Sequence, residues 1–183
     1  MLERLCNLGI DADVARLVKS LDWAWLGHTS ADPQDGFISI EGHVGASPWD
    51  VAVLLQAVSH KQDLSNKRVL DVGTGAGGLC AALVASGAKV TSIDIVQPRQ
   101  IPGANCVQGD GLQGHHPGAP YDVIVAGGAV KHVPEAWFSQ APEGIIVAPV
   151  GRARQELIRF ERAWGSVQRV NLGRVGFLPL DKP

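Results

Sequence analysis

The sequence predicts an α/β fold with a mostly parallel central sheet and a C-terminal antiparallel hairpin. Three observations carry this. Strand-like and helix-like segments alternate along the chain, the pattern that builds parallel sheets covered by helices. Four short runs, Arg68 to Val72, Lys89 to Asp94, Tyr121 to Ala126 and Gly144 to Pro149, are rich in Val and Ile, as strands buried on both faces are. A glycine-rich turn, Gly73 to Gly78, joins the first run to an Ala- and Leu-rich stretch, as in a βαβ unit.

Taken in order, Asp11 stands where it can cap a helix whose Val14, Leu17, Val18 and Leu21 recur at helical spacing. Gly36 to Ser47 reads as a loop. Ser47, Pro48 and Asp50 then form a helix-start signature: a capping hydroxyl, a proline at the first helical position and an acid two residues on. The apolar run Val51 to Val58 that follows predicts a helix buried on most sides. After the glycine turn, Leu79 to Ser86 forms a helix stopped by Gly87. Glu156 to Ala163 and Val167 to Phe177 alternate or are β-branched around Gly165, as a closing hairpin would be. No repeat or low-complexity stretch interrupts the chain, and 183 residues with 45% hydrophobic content fit a single domain, 1–183.

A net charge of −2 with scattered Lys and Arg leaves no electrostatic footprint for nucleic acid or an anionic membrane. Small or peptidic partners are therefore expected, and a monomer is favoured. The N-terminus opens with Glu3 and Arg4 and no long apolar stretch, so neither a signal peptide nor a membrane span is expected and the expected location is the cytoplasm. Cys6, Cys80 and Cys106 are odd in number and lack CxxC spacing. They read as reduced, structural cysteines, with no metal site.

Asp71-Val72-Gly73-Thr74-Gly75-Ala76-Gly77-Gly78 sits where a first strand turns into a helix, the place where ligands meet exposed backbone in open sheets. Gly73, Gly75 and Gly78 also satisfy the GxGxxG spacing of dinucleotide binders. An acid two residues ahead of the first glycine suits an ammonium group and repels a pyrophosphate. Asp71 thereby favours S-adenosylmethionine over NAD. Asp94 ends the second strand, where a carboxylate can accept from both ribose hydroxyls. Asp110, in Gly109-Asp110-Gly111, ends the next strand and is placed to meet the adenine amino group. The expected cofactor contacts are Asp71, Gly73, Thr74, Gly75, Gly77, Asp94, Ile95, Asp110 and Gly111.

Gly109-Asp110-Gly111, Tyr121-Asp122-Val123-Ile124-Val125, Pro142 to Gly151, Gln155-Glu156-Leu157 and Phe177-Leu178-Pro179-Leu180 together resemble the protein-L-isoaspartate O-methyltransferase family. Ala148-Pro149-Val150-Gly151 followed by Gln155-Glu156-Leu157 is the most specific element, and Leu8-Gly9-Ile10-Asp11 resembles the family's opening helix. The resemblance implies a Rossmann-like S-adenosylmethionine methyltransferase fold, with residues 1–66 as helical and acceptor-loop region and 67–183 as the cofactor-binding core. It implies esterification of the α-carboxylate of an L-isoaspartyl residue, with S-adenosyl-L-homocysteine as product. Such a carboxylate, with a pKa of roughly 4, is already ionised at neutral pH and needs no general base.

Two departures bear on the substrate. The family's acceptor loop reads Gly-Gln-Thr-Ile-Ser, one further residue, then Pro; here the positions are Gly42, His43, Val44, Gly45, Ala46, Ser47 and Pro48. Two hydroxyls are lost, and Ser47 is better explained as a helix cap than as a displaced catalytic hydroxyl. Ala46, Ser47 and His43 are the acceptor-site candidates. Between Asp94 and Asp110, where the family carries a helix, Pro98, Pro102 and Gly103 predict a loop and a more open adenine side. Gly127 and Gly128 after the fourth strand predict extra room near the methyl group. His115 and His116 read as loop histidines; among the five tryptophans, Trp49 is the candidate pocket wall. Alternatives are an altered acceptor, such as an aspartate of a particular protein, a non-catalytic cofactor-binding scaffold, and, on glycine spacing alone, an NAD oxidoreductase.

Overall fold

A computed structural model describes residues 1–7, 9–28, 38–40, 42–60, 62–163 and 166–180. Leu8, Gly36, Trp164 and Gly165, on which parts of the sequence reading fall, lie outside the described residues. The elements run α1 (Leu2–Asn7), α2 (Ala12–Ser20), β1 (Ile38–Ile40), β2 (His43–Gly45), α3 (Pro48–Ser59), β3 (Arg68–Val72), α4 (Gly78–Ala85), β4 (Lys89–Asp94), β5 (Asn105–Gln108), β6 (Val123–Ala126), α5 (Glu135–Gln140), β7 (Ile145–Val150), β8 (Gln155–Ala163) and β9 (Ser166–Val175).

Seven strands form one sheet in the order β5-β4-β3-β6-β7-β8-β9. The first five of these are parallel, and β8 and β9 add on antiparallel. The predicted fold class is the observed one. Chain order reverses beside β3, with β4 on one side and β6 on the other, so a crevice opens at the C-terminal ends of these strands.

Both faces of the sheet are covered, which explains why the strands are apolar without alternation. Val69, Val123, Val125 and Val147 face the core shared with Leu54, Leu55 and Leu83 of α3 and α4. Leu70, Val72, Ile124 and Ile146 face the core that holds Trp137 of α5. Alternation along β3 puts Asp71 on the same side as Val69, toward α3 and α4.

Helix α3 begins with the predicted capping box: Ser47 Oγ accepts from the Asp50 amide, and the Asp50 carboxylate accepts from the Ser47 amide. Val51, Leu54, Leu55 and Val58 are all buried, the helix apolar on most sides as expected. At α2, Asp11 occupies the N-cap position but makes no side-chain capping bond. Instead its amide donates to Gln56 Oε1 of α3 at 2.7 Å, tying the two helices together.

The stretch read as a loop from Gly36 contains a small antiparallel ribbon, β1 with β2. The connection from β4 to β5 has no helix, in line with its prolines, but it is held firmly. Ile101 is buried, Arg99 donates to the Ala76 carbonyl at 2.8 Å, and its guanidinium lies 4.6 Å from the Trp25 ring centre. Among the described residues no helix is long and apolar enough to cross a membrane.

Candidate active site at the ends of the central strands

Two cavities open at the C-terminal ends of β3, β4 and β6. One, of about 320 Å³, is lined by Gly73, Asp94, Ile95, Asp110, Gly111 and Leu112. The second, of about 240 Å³, is lined by His43, Val44, Ala46, Gly127, Gly128 and Leu178. Gly73, Asp94 and Leu180 line both, so the cavities meet there.

Asp94 is the hinge of the arrangement. Its Oδ2 accepts from the Gly75 amide at 2.9 Å and its Oδ1 from the Val96 amide at 3.3 Å. Each oxygen so engaged keeps a further acceptor lone pair. Asp110 caps a short turn over Gly111–Gln113, its Oδ1 accepting from the Leu112 amide at 3.0 Å. Ile93, Ile95 and Leu112 supply the apolar wall on which a flat base can lie. Two of the lining glycines also allow close packing within the protein. A Cβ on Gly111 would stand 2.4 Å from Val72 Cγ1, and one on Gly73 would stand 2.7 Å from Leu180 Cδ2. The cradle exists because these positions are glycine.

Three of the expected cofactor contacts stand elsewhere. Asp71 is completely buried and lines neither cavity. Ser92 Oγ donates to Asp71 Oδ2 at 2.6 Å and stands 2.7 Å from Thr74 Oγ1, a chain that props the glycine turn from beneath. Burial pushes the Asp71 carboxyl up to about 7, against the downward pull of the Ser92 hydroxyl; Asp94 and Cys106 add smaller rises. Asp71 Oδ1 has no protein partner. Thr74 is buried in the same chain, and Gly77, with φ +93, packs against Ile101 at the start of α4. Asp71 thus supports the turn from within the protein through Oδ2.

The acceptor side is built on β2 and the segment after it. The Ala76 amide donates to the Val44 carbonyl at 3.0 Å, and His28 Nε2 lies 3.1 Å from the Ala46 carbonyl. His28 was not legible as a site residue, because its partner lies on a loop reached only through the tertiary fold. Ser47, a catalytic candidate, is buried and spent on the capping box, and its side chain does not line the cavity. Ala46 and His43 do line it, and His43 Nδ1 is buried with no hydrogen-bond partner. Trp49 lies outside this cavity, along α3.

A strap closes the top. Residues Phe177 to Leu180 cross beside the segment after β6, with the Ala129 amide donating to the Leu178 carbonyl and the Leu180 amide to the Ala129 carbonyl, both at 2.8 Å. A Cβ on Gly128 would stand 2.8 Å from Leu178 O, and one on Gly127 2.8 Å from Gly73 O. The two glycines therefore serve close backbone approach, Gly127 to the glycine turn and Gly128 to the strap, and both still line the acceptor cavity.

Protein-L-isoaspartate(D-aspartate) O-methyltransferase (PCMT) is the family that matches, over residues 34–183. A protein-L-isoaspartate O-methyltransferase of Methanoculleus marisnigri is 37% identical across 76% of this chain and 68% of its own length. That of Bordetella avium is 33% identical across 98% of this chain and 75% of its own. A Plasmodium falciparum chain, described as a protein-L-isoaspartate O-methyltransferase in complex with S-adenosyl-L-homocysteine, superposes with a TM-score of 0.82. It covers 100% of this chain and 97% of its own at 20% identity, a likeness of fold. The match in sequence extends from the acceptor loop to the strap, and on it the chain belongs to the protein-L-isoaspartate(D-aspartate) O-methyltransferase family.

Proposed function

We propose that the chain transfers a methyl group from S-adenosylmethionine to a peptidic carboxylate, with the α-carboxylate of an L-isoaspartyl residue as acceptor. The observation that carries this reading is the meeting of the two cavities at Gly73, Asp94 and Leu180. Family membership supplies the class of donor and acceptor.

S-adenosylmethionine, when bound, supplies a methyl group made electrophilic by its sulfonium sulfur. The protein's own part is holding and shielding. Asp94, on the lone pairs that Gly75 and Val96 leave open, would hold the ribose hydroxyls, and Asp110 and Leu112 would border the base. Gly73 puts no side chain between donor and acceptor cavities. On the acceptor side an ionised carboxylate needs no base, so alignment and exclusion of water are what remain. The Leu178 to Leu180 strap shields the junction, and His43 lines the acceptor cavity.

The acceptor loop presents Val44 and Ala46 where the family pattern has two hydroxyls. This favours, as a second reading, an aspartyl carboxylate in a particular protein. The proposal further has one domain over 1–183, acting as a monomer in the cytoplasm without nucleic acid. Transfer of labelled methyl to an isoaspartyl peptide, in a form released as methanol by base, tests the reading. Base-stable label, or none, would overturn it.

A further inference from the structure

A third cavity, of about 380 Å³, runs along α3 between that helix and the β8–β9 hairpin. The transfer chemistry does not use it. Trp49, Val53 and His60 line its helix wall, and Leu157, Arg159 and Arg174 its hairpin wall. From Trp49 to His60 the helix rises about 16 Å, the reach of about five residues of extended chain.

The near end adjoins the acceptor cavity. The segment that carries Ala46 on the acceptor side carries Trp49 on the groove side, and the strap residue Leu178 is followed back into the groove by Phe177. Polypeptide leaving the acceptor cavity on this side meets the groove first.

The far end is positive. Arg159 is 4% exposed, a depth at which a guanidinium requires a counter-charge. Its Nη2 donates to the His60 carbonyl at 3.2 Å and to Glu161 Oε1 at 2.9 Å, while its Nε is buried without a partner. Glu161 is half in water, its side chain 40% exposed, so its compensation is incomplete. Arg174, on the outer strand opposite Glu156 and three β8 positions nearer the mouth than Arg159, adds a second cation to the same wall. The acid on the lining, Asp50, sits at the Trp49 end and is engaged by the amide and hydroxyl of Ser47. The groove is therefore mixed polar and apolar along its length, its acid engaged at the Trp49 end and its hairpin wall receptive to a carboxylate from Arg174 to Arg159.

We propose that this groove holds the polypeptide flanking the methyl acceptor, and that an acidic side chain about five residues from the acceptor is received on the hairpin wall between Arg174 and Arg159. The proposal rests on the reading that the acceptor is a peptidic carboxylate. It makes the enzyme selective for damaged sites near acidic residues.

The test uses three isoaspartyl peptides: one neutral, one with Glu about five positions before the acceptor and one with Glu about five positions after it. KM and kcat are measured for each, together with peptide affinity in the presence of S-adenosyl-L-homocysteine. One acidic peptide is expected to show a KM about tenfold below the neutral one at low salt, the scale of one charge-assisted hydrogen bond, with kcat unchanged. Arg174→Gln, at an exposed strand position, and Arg159→Met should each shrink that ratio toward one. Arg174→Gln decides the matter where Arg159→Met fails to fold. Equal KM for all three peptides, or an acidic advantage that survives Arg174→Gln, overturns the groove while leaving the acceptor reading intact. Methylation of none of them overturns the acceptor reading and the groove with it.

Discussion

The Ala76 amide donates to the Val44 carbonyl at 3.0 Å, fastening the acceptor loop directly to the glycine turn. Donor and acceptor sides of the site are thereby one piece of backbone. The contact is possible because Gly75, with φ +50, has no side chain: a Cβ there would stand 2.1 Å from the Val44 oxygen.

Gly75→Ala should therefore separate the two sides. Its Cβ must displace backbone, and a misplacement of about 1 Å near reacting groups costs on the order of a hundredfold. Steady-state kinetics on an isoaspartyl peptide should show kcat/KM reduced by about that factor, more than S-adenosyl-L-homocysteine affinity measured by calorimetry. Unchanged kinetics would mean that the loop can move independently of the turn.

Asp94→Ala should weaken cofactor binding by about ten- to a hundredfold, since it removes a charged acceptor and the anchor of the Gly75 amide. Calorimetric titration with S-adenosyl-L-homocysteine checks this, and an unaltered dissociation constant would contradict the placement of the ribose.

Ala46→Ser restores a hydroxyl to the acceptor cavity that Ala46 lines. Transfer to isoaspartyl peptide should rise by about tenfold, the worth of one hydrogen bond to a charged group. No gain in label incorporated would show that another contact, such as His43, limits the site.

Asp71 predicts the pH dependence of stability. Burial holds its carboxyl up to about 7, so the folded chain keeps a proton that the unfolded chain releases near pH 4. Its contribution to stability is full below that lower pH and is lost as pH rises to about 7, by at most about 4 kcal/mol. Denaturant unfolding at pH 5 and pH 8 should show wild type losing stability on the way up. Asp71→Asn, which keeps an acceptor for Ser92, should flatten that slope. An equal slope in the variant would assign the loss to other groups.

The strands were readable because burial on both faces writes continuous Val and Ile runs, and α3 because its capping box is local. Asp71 stood out by its position ahead of the glycines, but its bond to Ser92 beneath the turn could not be seen in sequence. Counting alternate residues with Val69 against Leu70 and Val72 puts it on the face toward α3 and α4. The β1–β2 ribbon, three residues a strand, carries too little pattern to be seen. Nor could Gly127 and Gly128 reveal their purpose, because the backbone they accommodate, Gly73 for one and the strap at Leu178 for the other, lies far off along the chain. Trp49 was rightly singled out as a cavity wall but for the wrong cavity, since helical periodicity fixes which residues share a face without saying what lies opposite.

The most direct test of the joined cavities as a carboxyl-methylating site is transfer of labelled methyl from S-adenosylmethionine to a matched pair of peptides, one isoaspartyl and one aspartyl, with cofactor affinity measured on the same sample. Tight cofactor binding with transfer to the isoaspartyl peptide alone is the predicted result. Tight binding with transfer to neither would contradict it.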